Sequence, residues 1–116
     1  MRRQKTYSAQ TGYVYQYYYE GYRASDREGR AGNEYIFQVT SDRKSSFPLT
    51  VFVATAVVED WQRDHGRVLT PTEQYAAVKM ALFQAFDVQA DPGPANAEVE
   101  IDAEAMESHL TGLEIE

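Results

Sequence analysis

Asp60, Asp64 and His65 come nearest, by type and spacing, to a site for metal or acid–base chemistry in this chain. Asp60 and Asp64 stand four apart, so on a helix both carboxylates leave the same face and can share a hard cation. The spacing fits an exposed helix surface equally well, and a histidine just before Gly66 suits the negative end of a helix. Glu20, set between Tyr19 and Gly21-Tyr22, is a carboxylate whose pKa would rise if it were desolvated. His109 lies among acidic residues. The sequence carries no Gly-x-Ser-x-Gly elbow, no phosphate-cradling glycine loop and no His-Glu-x-x-His pair. With no cysteine, thiol nucleophiles, disulfides and cysteine-ligated zinc are excluded. These observations predict no catalytic residue, no metal and no cofactor; a small enzyme built on Glu20, Asp60, Asp64 or His65 is the second alternative.

Recognition is the other chemistry on offer. Seven of the nine tyrosines fall between Tyr7 and Tyr22. Rings of this kind either pack in a core with their hydroxyls at its rim or form a binding surface. Arg2, Arg3 and Lys5 near the start, with Arg43 and Lys44 in a later turn, are the candidate anion-binding residues. They would meet at one end of an antiparallel meander and attract phosphate or nucleic acid. Arg23, Arg27 and Arg30 are nearly cancelled by Asp26, Glu28 and Glu34.

The elements that must position these groups follow from the pattern. Residues 6–23 read as one long strand, 24–33 as a polar loop, 34–40 as a second strand and 48–54 as a third. Thr55 is expected to cap a helix over 56–65 that Gly66 ends. Thr70-Pro71-Thr72-Glu73 is a capping box opening a second helix, on which Tyr75, Val78, Leu82 and Phe86 recur on one face. Trp61 belongs to the inner side of the first helix. Asp91-Pro92-Gly93-Pro94 breaks the chain; Ala97 to Ile101 alternates like an added strand that would cover a sheet edge, and Asp102 can cap a short helix over 103–110.

The 116 residues suffice for one core. Fold class is therefore α+β: a three-stranded, or with the added strand four-stranded, antiparallel meander followed by two helices on one face, β-β-β-α-α. The domain is expected over 1–87, with 88–116 an acidic C-terminal extension. Eight of the 18 acids lie in that extension without a Lys or Arg, which leaves ten acids against all eleven bases in 1–87. No apolar run is long enough to cross a bilayer and none follows the basic start, so a cytoplasmic protein without membrane contact is expected.

Face assignment gives the leading functional expectation. With Tyr13, Tyr15, Tyr17 and Tyr19 inward, the other sheet face would carry Val14, Tyr18, Ile36 and Phe52, too apolar to be bare. Those four are the candidate partner-binding residues of a noncatalytic interaction module, joined to a second copy in a homodimer or to another protein. Nucleic-acid or phosphate binding at the basic end, gated by the acidic extension, is the weaker alternative, because residues 1–87 carry a net charge of only +1.

Overall fold

A computed structural model describes residues 3–88 and 98–116. The chain runs β1 (Lys5–Ser8), β2 (Val14–Arg27), β3 (Arg30–Thr40), β4 (Phe47–Ala54), α1 (Thr55–His65), α2 (Pro71–Val88), β5 (Glu98–Ile101) and α3 (Ala103–Gly112). The five strands form one sheet in the order β1-β2-β3-β4-β5. Strands β1 to β4 are an antiparallel meander, while β5 returns parallel to β4 and covers its edge. The α+β class and the meander stand as expected, but the sheet has five strands rather than three or four.

Three differences have local causes. The expected strand over 6–23 is two strands, because the chain reverses at Ala9–Tyr13, where the Gly12 amide donates to the Ala9 carbonyl and the Ala9 amide to the Tyr13 carbonyl. The expected loop over 24–33 is the far half of the β2–β3 hairpin. It closes on Glu28 and Gly29, whose φ angles of 54° and 82° suit a tight hairpin turn. Its polar side chains are partners across the ladder: Arg23 sits opposite Glu34 and bonds it at 3.0 Å. Third, β5 and α3 are no appended tail, since Ile101, Met106 and Leu110 are buried in the same core as Trp61, Leu82 and Phe86. The proline-bearing break at 91–94, like Arg2, lies outside the described residues.

Thr70 and Glu73 close the capping box in both directions, at 3.0 and 3.2 Å. Asp102 accepts from the Ala105 amide at 2.8 Å, and Gly66 ends α1 in the left-handed region. Helix α1, however, starts at Thr55 with no side-chain cap, so Thr55 is not the capping residue. Among the described residues no helix is long and apolar enough to cross a membrane.

On the helix side of the sheet, Tyr15, Tyr17, Phe37, Val39, Leu49 and Val51 pack against Val78, Leu82 and Phe86. Phe86 stacks on Tyr15 at 4.3 Å between ring centres, with Tyr7 and Tyr17 beside it. The Tyr7 hydroxyl donates to Asp87 at 2.7 Å, and the Gln10 amide holds the other carboxylate oxygen, tying β1 to α2.

His109 is the one buried histidine among the described residues. Burial pushes its imidazole pKa below the ordinary value, with the Asp102 carboxylate acting weakly the other way. In acid the unfolded chain takes up this proton before the folded one. The stabilisation is thus complete above about pH 6.5 and is lost as pH falls through the lower folded value. The urea midpoint is expected to fall between about pH 7 and pH 5, before carboxylates titrate, and His109→Gln should flatten that window. An identical slope in the variant would exclude His109 as the cause.

Candidate tyrosine cleft

The proposed catalytic residues do not converge. Asp60 and Asp64 both face Arg63, at 3.0 and 3.6 Å. His65 stacks on Trp61 at 4.2 Å and bonds the Glu107 carboxylate at 2.9 Å through Nε2. Glu20 is on the opposite side of the sheet, accepting from Gln38 Nε2 at 3.2 Å. Among the described residues no three His, Asp or Glu side chains are grouped to hold a metal.

The far sheet face is more polar than expected. Phe52 has no exposed surface. Arg27 and Arg30 lie over its ring, at 4.8 and 5.8 Å from its centre. Those guanidiniums are held by carboxylates: Arg27 by Glu34 at 2.9 Å and more loosely by Glu98, and Arg30 by both oxygens of Glu100. The pairing holds the Glu34 and Glu100 carboxyls below their ordinary range. Phe52 is therefore covered by its own chain and is not presented to a partner; the cause is that the guanidinium groups of the hairpin arginines lie over its ring while they pair with carboxylates. Along the rest of that face Gln4 bonds Gln16 and Gln38 bonds Glu20, with Tyr18 and Ile36 half-buried between them. Val14, 46% exposed, is the open apolar residue of the four.

The basic end also divides. Because β1 runs back along β2 from Ser8, Lys5 sits opposite Tyr17 and Arg3 lies still farther from the Ser8–Val14 end. Arg43 and Lys44 stand instead in the β3–β4 turn, whose Asp42 accepts from the Lys44 and Ser45 amides at 2.8 and 3.0 Å. The expected gathering of Arg3 and Lys5 with Arg43 and Lys44 is thus replaced by two separate basic places, and Arg2 lies outside the described residues.

A concave site lies on the helix side, where the sequence pointed to none. Strand β2 carries a bulge: Tyr19 pairs with Phe37 and Gly21 with Ile36, leaving Glu20 without a partner in the ladder. Gly21 supplies the φ of 145° that this irregularity needs. The extra residue reverses the alternation, so Tyr22 pairs with Tyr35 and shares the helix-side face with Tyr19. Tyr75, in the first half of α2, closes the opposite wall at 4.9 Å from the Tyr19 ring. Tyr19, Tyr22, Tyr35 and Tyr75, with Asn33 and Thr72, line a cleft of about 580 Å³. Tyr22 stacks on Tyr35 at 5.6 Å and remains 65% exposed, which makes it the outer wall.

Burial raises the hydroxyl pKa of Tyr35 and Tyr75, and burial with neighbouring tyrosines pushes Tyr19 up to about 12. The three phenols are uncharged hydrogen-bond donors at neutral pH. No family model, curated protein or solved structure matches the chain. The cleft's chemistry is therefore read from its residues alone.

Tyr22 and Tyr75 are the cleft residues that the sequence did not reveal as a site. A glycine inside a tyrosine-rich strand was the available signal for the bulge.

Proposed function

We propose that this chain is a noncatalytic binding module whose ligand surface is the tyrosine cleft between β2–β3 and the first half of α2. The observation that carries the reading is the bulge at Glu20, which turns Tyr22 toward Tyr19, Tyr35 and Tyr75 instead of away from them. Bulges often re-aim a side chain beside a working site, and a few hundred cubic ångströms is the usual size of a small-molecule pocket. Four ring faces with neutral hydroxyl, amide and alcohol groups at their edges suit a flat, partly polar ring system. Among the described residues the lining contains no carboxylate, imidazole or amine to move a proton, which favours binding over catalysis.

This reading replaces the far face as the preferred surface, because Phe52 is enclosed and most of its neighbours are paired polar groups. Adenosine, an uncharged flat heterocycle, is a suitable probe. Titrated into isotope-labelled protein, it should shift the amide signals of Tyr19, Tyr22, Tyr35 and Tyr75. The Tyr22→Ala variant, whose side chain is largely solvated, should lose that response while keeping a folded spectrum. Base–aromatic stacking is worth about 1–3 kcal/mol per base, so the loss should be about tenfold or more in affinity. Shifts confined to Val14, Tyr18 and Ile36, or no shifts at millimolar adenosine, would overturn the reading.

A further inference from the structure

A second pocket of about 290 Å³, with a different chemistry, shares two wall residues with the cleft. Tyr19 and Tyr75 line both, and Arg3, Lys5 and Lys79 line the second. Lys79 is one helical turn beyond Tyr75, and its ammonium lies 5.4, 5.6 and 5.3 Å from the ring centres of Tyr17, Tyr75 and Phe83. Lys5 reaches the same region from β1, opposite Tyr17.

These three cations stand apart in a chain of net charge −7. Arg23, Arg27, Arg30, Arg63 and Arg67 are all paired with carboxylates. Among the described residues Arg3, Lys5 and Lys79 have no carboxylate partner. Arg43 and Lys44 also lack one and, like Arg3 and Lys5, are exposed, but it is Arg3 and Lys5 that share a pocket with the half-buried Lys79. Lys79 is half-buried, and burial together with Lys5 pulls its pKa down. An ammonium whose charge is disfavoured by burial and by a neighbouring lysine, beside aromatic walls, gains stability from an anion.

We infer that the two pockets form one bipartite site for a small ligand that joins a flat heterocycle to a phosphate, of the mononucleotide class. The ring lies among Tyr19, Tyr22, Tyr35 and Tyr75, and the phosphate meets Lys79, Lys5 and Arg3. A phosphate monoester brings about two negative charges, which three cations from two chain segments can match. The net charge of −7 disfavours a long polyanion, whereas a short ligand meets only the local cations.

This inference rests on the cleft reading, and the test separates the two. Adenosine, AMP, inorganic phosphate and a deoxyadenosine decamer are titrated into the full chain by calorimetry and by amide shifts at about 50 mM salt. AMP is expected to bind about tenfold tighter than adenosine, and to lose that advantage at about 500 mM salt. Lys79→Met should reduce AMP affinity to that of adenosine while leaving adenosine binding unchanged. Lys5→Gln, at an exposed position, should give a smaller loss of the same kind and guards against a folding defect at Lys79. Equal affinity for AMP and adenosine in the unaltered chain overturns the bipartite site and leaves the cleft reading standing. Unchanged AMP affinity in both variants, or a decamer that binds tighter than AMP, also overturns the inference. No binding of either nucleoside compound overturns both readings.

Discussion

Replacing Phe86 with alanine is expected to cost about 4 kcal/mol of stability. The ring is fully buried, and it is the common neighbour of Tyr7, Tyr15 and Tyr17. Its stacking on Tyr15, at 4.3 Å and 9° between ring planes, joins the start of β2 to α2. Tyr7, which it also touches, fixes β1 to the same helix through Asp87. Removing the ring thus takes away its own burial and leaves three tyrosines beside a void that rigid strands cannot close. Against a total of about 5–15 kcal/mol, such a loss leaves the fold close to its limit. Urea denaturation followed by Trp61 fluorescence measures it. Phe86→Leu, which refills much of the space, should recover most of the loss. A cost below about 1 kcal/mol for the alanine variant would show that the ring does not carry the β2–α2 contact.

How far the fold could be read from the sequence depended on whether each signal was local. Thr70 with Glu73, Asp102 with Ala105, and Gly66 act within a few residues, and each sits where the sequence put it. The alternation of Tyr13, Tyr15, Tyr17 and Tyr19 gave the helix-side face for the last three, whereas Tyr13 precedes β2 and is 40% exposed. Beyond Tyr19 the same rule failed, because one inserted residue at Glu20 reverses which side every later β2 residue faces. That reversal turned Tyr22 into a wall of the cleft. The stretch from Ala24 to Asn33 looked like a loop because its charges are visible in the sequence while their partners on neighbouring strands are not. The same long-range pairing hid Phe52: nothing in its own strand indicates that Arg27 and Arg30 cover it. The basic end was misplaced by a single unforeseen reversal at Ala9–Tyr13. The tyrosines were legible as a recognition feature, but the face that uses them was not, since it is set by a bulge and by a helix some fifty residues later.

Gly32→Ala should be nearly as damaging as the loss of Phe86, through crowding instead of a void. A β-carbon added at Gly32 would fall 2.3 Å from the Val53 carbonyl oxygen, 2.9 Å from Ala54 Cα and 2.8 Å from Phe52 Cζ. The first two are backbone atoms of the neighbouring strand, so no rotamer change relieves them and β3 must part from β4. The third is the ring that Arg27 and Arg30 cover; moving it lifts both guanidiniums and strains the Arg30–Glu100 pair. Overpacking usually costs about 1–3 kcal/mol, and a clash with fixed backbone belongs at or above the upper end. The two contributions separate in a double-mutant cycle with Phe52→Ala. Removing the ring makes room on one side only, so the alanine at position 32 should cost less in the Phe52→Ala background but remain clearly destabilising. A cost that vanishes there would mean that the strand backbones yield and the ring alone excludes a side chain. No cost in either background would mean that β3 and β4 do not approach as closely as their register requires.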